Sequence, residues 1–171
     1  MIVRGTAIFH ALAVAFCLAG GAMQAEAQEV IGEVNATLDG TERQWQTLQS
    51  TESDISFNTG IRETGPITEI GIQGFEEGGS FNREVIVINW FVMDEGEPMD
   101  ASVMYVPERM SQSWMSPEGE QVVNVEAFDG ESASGTLKGR LCYKDGFAAP
   151  PDPDRCMEID GTFETRLPED S

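Results

Sequence analysis

Carboxylates are the abundant reactive groups of this 171-residue chain, which has 30 acidic side chains and 10 basic ones. Carboxylate oxygens are the ligands that Ca²⁺ prefers, about six to eight of them at each ion. Three acid-rich segments, 76–77, 94–100 and 152–154, are the places to look for such a site. The calcium candidates are Asp94, Glu95, Glu97, Asp100, Asp152 and Asp154. No segment has the D-x-[DN]-x-[DN]-G-x5-E spacing of an EF-hand loop, so a solvated acidic surface is the favoured interpretation.

A pair of carboxylates is also the catalytic machinery of many glycan hydrolases, whose two acids lie about 5–9.5 Å apart in a cleft. No predicted strand places an isolated acid within an apolar stretch, and the D-T-G and D-S-G motifs of aspartic proteases are absent. The segment 130–134 resembles G-x-S-x-G but ends in Ser134. We therefore expect no enzymatic activity, and a carboxylate-pair glycan hydrolase is the enzyme alternative.

The N-terminus has the features of a secretory signal peptide. Arg4 precedes an apolar run over 7–18, and Ala25-Glu26-Ala27 provides an A-x-A cleavage site. We predict a cleaved leader over 1–27 and a single mature domain over 28–171. The apolar run is shorter than the roughly 20 residues that a membrane helix needs. The expected location is periplasmic or secreted, with no membrane span.

Loss of the leader removes several kinds of chemistry. The only histidine of the chain, His10, lies in it, so the mature domain has no Ser-His-Asp triad, Cys-His pair or histidine-ligated zinc. Walker-type and G-x-G-x-x-G motifs are also absent, and we expect no cofactor. Cys142 and Cys156 remain as an even pair, which predicts a disulfide in an oxidising compartment.

The charge of the chain restricts its partners. A net charge of −20 repels phosphate backbones and anionic lipids, so we expect neither nucleic-acid nor membrane-surface binding. A protein or a glycan is the expected class of partner. Trp114, which is flanked by polar residues, and Phe147 are the candidate partner contacts, because exported β-domains commonly bind through loops and edges.

Short runs of Val, Ile, Phe, Thr and Trp between Gly and Pro breaks predict an all-β chain. The spacing is typical of an antiparallel sandwich or barrel of about 8–9 strands with one disulfide. The segment 84–93 is apolar on both faces and is predicted to be a central strand covered on both sides. The predicted strands are 30–38, 43–49, 54–58, 67–75, 84–93, 101–106, 121–128, 132–143 and 156–166.

The last two predicted strands allow a register to be proposed. If Cys142 faces Cys156 in an antiparallel pair, one face aligns opposite charges and the other aligns glycines with large apolar side chains. The pairs are Arg140–Glu158, Lys138–Asp160, Leu137–Gly161 and Gly135–Phe163. The intervening segment, 144–155, is too rich in proline to be predicted as strand.

The mature chain begins with GEVNATLDG over 32–40, followed by Trp45, and it has ASGTLKG over 133–139 and IDGTF over 159–163 near its end. These two ends resemble small exported bacterial all-β domains of uncharacterised function. In such domains a first strand ends at a glycine turn, and a G-T-hydrophobic strand pairs with a closing G-x-F strand. The resemblance implies an all-β fold and an extracytoplasmic setting, and it implies no catalytic residues.

The sequence thus predicts an exported, non-enzymatic binding or interaction domain of a bacterial envelope or secretome. An inhibitor of a secreted hydrolase is the second binding hypothesis, because a stiff, proline-containing loop over 144–155 would lose little entropy on binding.

Overall fold

The computed structural model describes residues 28–50, 59–80, 83–93, 96–109, 111–146 and 148–168. The predicted leader and the predicted strand at 54–58 lie outside these residues. The described residues form antiparallel strands and no helix, which confirms the predicted all-β class. The strands are β1 (Gln28–Leu38), β2 (Thr41–Ser50), β3 (Gly60–Thr64), β4 (Ile67–Ser80), β5 (Arg83–Met93), β6 (Met99–Arg109), β7 (Gln112–Met115), β8 (Val123–Phe128), β9 (Ser132–Asp145) and β10 (Asp152–Arg166).

Eight of these strands close into a barrel. The order of neighbours is β10-β1-β2-β4-β5-β6-β7-β9, and β9 pairs again with β10 to complete the ring. The other two strands attach at single edges, β3 on β4 and β8 on β9. The sequence does not distinguish a sandwich from a barrel, and the structure is a closed barrel.

The barrel interior is the hydrophobic core. Alternate residues of each strand point inward because the side-chain period of a strand is two. In β5, Ile86, Ile88, Trp90 and Val92 are buried, whereas the outward residues Val87, Asn89 and Phe91 are only half-buried. At the start of the same outward face, Val85 is fully buried and packs with Phe75 and Val106 in a second, smaller apolar cluster. The prediction that 84–93 is covered on both faces is thus confirmed at Val85 and wrong from Val87 to Phe91.

The predicted register of the closing hairpin is confirmed. Cys142 faces Cys156 and the two sulfurs form a disulfide. The charged pairs and the glycine pairs fall opposite one another as the sequence indicated. Lys138 lies 3.9 Å from Asp160, both highly exposed. The Arg140 guanidinium, however, binds Glu120 of the preceding turn and not its cross-strand neighbour Glu158.

The segment between the cysteines holds more strand than the sequence predicted. The strand β7, which the sequence analysis missed, pairs with 142–145 and extends β9 to Asp145. The strand β10 begins at Asp152, and a bulge between Asp152 and Cys156 accommodates the proline. The Arg155 guanidinium lies 3.8 Å from the centre of the Tyr143 ring. Cross-strand pairing and this cation–π contact order a segment whose composition suggested a loop.

Gly135 is a close-packing point in the hairpin. A Cβ built on it would lie 2.2 Å from the carbonyl oxygen of Asn124 in β8 and 2.7 Å from Cζ of Phe163. The glycine therefore lets β8, β9 and β10 approach one another closely.

We expect Gly135→Ala to lower the free energy of unfolding by about 1–3 kcal/mol, because the added methyl group must displace backbone or a buried ring. Urea denaturation measures this change. Lys138→Ala, an exposed substitution in the same strand, is the control and should change stability little. Equal stability of the two variants would contradict the close packing.

Candidate functional site

The barrel wall opens between β6 and β8. β6 pairs with β7 only from Met104 onward. The last contact of the ladder is unusual, because the amide of Ser116 donates to the Val103 carbonyl at 2.9 Å while the Val103 amide donates to the Ser116 hydroxyl at 3.0 Å. The side chain thus replaces a backbone acceptor at the point where the chain leaves β6. Within the described residues, no strand pairs with this side of β6 before Val103.

A proline turn directs the chain away from β6. Pro117 follows Ser116, and the amide of Glu120 donates to the Pro117 carbonyl at 3.2 Å. Gly119 has a φ of +80°, which is the conformation that a type II turn requires at its third position. The chain then returns along β9, beginning where the Lys138 amide donates to the Val122 carbonyl at 2.8 Å. β8 consequently lies beside β9 and not beside β6.

The space between the two strands, here called the groove, has a volume of about 680 Å³. Three carboxylates line it and no lysine or arginine does. Its apolar lining residues are Pro98, Met99, Ala101, Val123 and Val125, of which the last three are buried in the core or packed against it. The lining residues are Glu97, Pro98, Met99, Asp100, Ala101, Gly119, Glu120, Gln121, Val123, Asn124 and Val125.

Asp100 is placed in the groove by a β-bulge. Asp100 and Ala101 together oppose the single residue Trp90 of β5, because the register shifts between Asn89 and Phe91. Asp100 has a φ of +52°, a left-handed conformation that aspartate tolerates better than most residues. The bulge therefore sets the carboxylate at the wall opening.

The carboxylates of the groove differ in their partners. Glu120 accepts hydrogen bonds from Nε of Arg140 at 3.1 and 3.0 Å, and this contact lowers the pKa of the Glu120 carboxyl. Glu97 and Asp100 have no basic partner among the described residues. Two negative charges at the opening are thus left for a cation to neutralise.

The calcium candidates do not form one site. Glu97 and Asp100 line the groove, while Asp152 and Asp154 lie at the start of β10, where the Asp152 carboxylate accepts from the amide of Asp154 at 3.0 Å. Asp94 and Glu95 lie outside the described residues. In the part of the chain that the structure describes, no group of three or more His, Cys, Asp or Glu side chains is placed to hold a metal ion.

The two aromatic candidates can be located only in part. Trp114 lies in β7, half-buried, and its ring packs edge-on against Tyr143 with 5.5 Å between ring centres. It lies outside the groove lining. Phe147 is outside the described residues. Contact of either residue with a partner stays a prediction.

A second polar cluster joins four strands of the barrel. One Nη of Arg43 lies 2.8 Å from Glu76 and 3.6 Å from Glu84. The Tyr105 hydroxyl donates to Glu84 at 2.6 Å, and its ring packs edge-on against Trp45. Burial and the adjacent Glu84 carboxylate raise the pKa of the Tyr105 phenol well above its ordinary value.

This cluster bears on the hydrolase hypothesis. Its two carboxylates are bridged by one guanidinium, and Glu84 is also engaged by the phenol. Each acid is therefore held by groups of the protein. Arg43 and Tyr105 thus connect β2, β4, β5 and β6 through these two carboxylates, and neither acid of this cluster is free.

Sequence reasoning missed both the groove and this cluster. Glu97 and Asp100 were named as calcium candidates, but Glu120 was not, and nothing in the spacing connects the two segments. A proline and a glycine in 116–120 were the available signal, since they predict a turn that interrupts a strand.

Comparison with known proteins does not place the chain in a family. No family model, curated protein or solved structure matches it. The resemblance to small exported β-domains thus remains an expectation from the residues at the two ends.

A search of the described residues for membrane-spanning helices finds none that is long and apolar enough to cross a bilayer.

We expect Tyr105→Phe to lower the free energy of unfolding by about 1.5–3 kcal/mol at neutral pH, because a hydrogen bond to a charged group is lost. The raised pKa means that the unfolded chain loses the phenolic proton first as the pH rises. The contribution of Tyr105 should therefore be complete below about pH 10 and decline above it.

Urea denaturation of the wild type and Tyr105→Phe between pH 7 and 11 measures this. The difference in stability should narrow above about pH 10. Tyr143→Phe controls for the removal of one phenol. A difference that stays constant over the whole range would contradict the proposed role of the Tyr105 hydroxyl.

Proposed function

We propose that the chain is an exported, non-enzymatic binding domain whose binding surface is the groove between β6 and β8, and that its partner is a protein with a positively charged segment. The observation that carries the proposal is the composition of this opening. It presents three carboxylates, apolar side chains at its base and no basic side chain.

Electrostatics support a cationic partner. A concave site of one sign focuses the field and raises the local concentration of opposite charge. The chain as a whole carries −20, so the field of the groove adds to that of the surface. An anionic partner would be repelled both by the groove and by the rest of the surface.

The disulfide supports export. Disulfides persist in oxidising compartments and are rare in the cytosol. Together with the leader that the sequence predicts over 1–27, this favours a periplasmic or secreted location. Glu76 and Glu84 are engaged by Arg43 and Tyr105, so this pair is unavailable as the two acids of a glycan hydrolase.

A charge-matched pair of variants tests the proposal. The probe is hexalysine, titrated into the protein by calorimetry at low ionic strength. Glu97→Gln combined with Asp100→Asn removes two carboxylates from the groove. Glu108→Gln combined with Asp145→Asn removes two exposed carboxylates that lie outside it.

We expect the groove variant to bind hexalysine at least about fivefold more weakly than the wild type, because two charge contacts are lost at a concave site. The control variant should retain most of its affinity. Equal weakening in both variants would show that hexalysine senses only the net charge, and the groove would then have no binding role.

A further inference from the structure

We infer that the groove binds an extended segment of alternating basic and apolar residues as an added strand on the free edge of β8, the edge directed away from β9. The inference rests on the proposed function, and it specifies how the partner is held. Addition of a strand to an exposed sheet edge is a recurring mode of peptide recognition.

The backbone of β8 is paired on one side only. Asn124 lies opposite Thr136 of β9, and the preceding backbone contact joins Val122 to Lys138. Residues of an antiparallel ladder alternate between the two edges, so the amide and carbonyl groups of Val123 and Val125 point to the free edge. Four adjacent backbone groups thus face the groove without a strand partner among the described residues.

The free edge is limited at both ends. The register of β8 on β9 shifts between Val125 and Ala127, which places a bulge at Glu126. A bulge interrupts a ladder and commonly protects an edge from pairing. At the other end, the turn at Gly119 closes the opening. A regular ladder on this edge is therefore short.

The width of the groove limits how a strand can be held. Some Cα atoms of β6 and β8 lie within 8 Å of each other. A strand hydrogen-bonded to both would need about 10 Å between them, which is two spacings of about 4.8 Å. The segment therefore pairs with β8 alone, and its other edge makes no ladder with β6.

The side chains of β8 specify the pattern of the partner. Val123 is 2% exposed and Val125 packs against the core, so both point inward. Residues that face each other across an antiparallel pair share one side of the sheet. The partner residues opposite Val123 and Val125 should therefore be apolar. Those between them point outward, on the side of exposed Asn124, and should be basic because Glu97 and Asp100, which have no basic partner among the described residues, line the opening.

A second copy of this chain fits the site poorly. Each copy carries a net charge of −20, and its own β8 presents Glu126 at the middle of the strand. Approach of two such surfaces is repulsive. A cationic segment of another protein gains both the backbone ladder and the charge contacts.

The alternating peptide acetyl-(Lys-Val)3-amide is the probe, because the geometry separates its amides into two sets. When valine lies opposite Val123 and Val125, the valine amides point to β8 and the lysine amides point away from it. One analogue is N-methylated at its valines and the other at its lysines. Both keep the charge and the composition of side chains.

We expect the valine-methylated analogue to bind at least about tenfold more weakly than the parent, because its donors to β8 are gone. The lysine-methylated analogue should bind within about threefold of the parent. Parent binding should be weakened by Glu97→Gln/Asp100→Asn, and amide signals of Val123 and Val125 should shift on binding.

The outcomes separate the two proposals. Equal affinity of the two analogues, with the dependence on the groove carboxylates retained, would overturn strand addition and leave the binding groove standing. Absence of binding by the parent peptide, or binding unaffected by Glu97→Gln/Asp100→Asn, would overturn both. Self-association of the protein that shifts the Val123 and Val125 amide signals, without any binding of the peptide there, would assign the edge to a second copy and would also overturn the inference.

Discussion

The strand β9 is the element on which the rest of the barrel depends. One of its edges carries the whole of β10, which closes the ring, and the disulfide Cys142–Cys156 fixes that pairing. Its other edge must serve two short strands, β7 and β8, one after the other. The glycine at position 135 lets β8, β9 and β10 pack closely at this point. The opening in the barrel wall thus results from the division of one edge of β9 between β7 and β8.

The division of that edge explains why the wall opens where it does. β6 follows β7 as far as Val103, and the Ser116 hydroxyl makes the final contact before the Pro117 turn. Beyond that point, in the part of the chain that the structure describes, β6 pairs only with β5 and β8 only with β9. A closed barrel removes unpaired edges, and this one keeps two short ones facing each other. The bulge at Asp100 adds a carboxylate to the opening, so that the unpaired strand edges and the negative charge lie at the same place.

The parts of this structure that the sequence predicts are those set by local pattern. The hairpin register follows from charges and glycines that match only in one alignment, as at Lys138–Asp160 and Gly135–Phe163. The strand β7 escapes prediction because four residues with one proline nearby carry little periodicity. The groove escapes because Asp100 and Glu120 are brought together only by the tertiary path of the chain. Arg43, Glu84 and Tyr105 meet only because three separate strands pair in one register, and no local sequence pattern predicts that register.

Amide hydrogen exchange of the free protein tests most directly whether the edge of β8 is open. Exchange reports local protection, residue by residue. We expect the Asn124 amide, which faces β9, to be protected, and the amides of its neighbours Val123 and Val125 to exchange much faster. The Val103 amide, bound to the Ser116 hydroxyl, should be protected as well. Equal protection of Val123, Asn124 and Val125 would contradict the account, because it would mean that the edge is already covered.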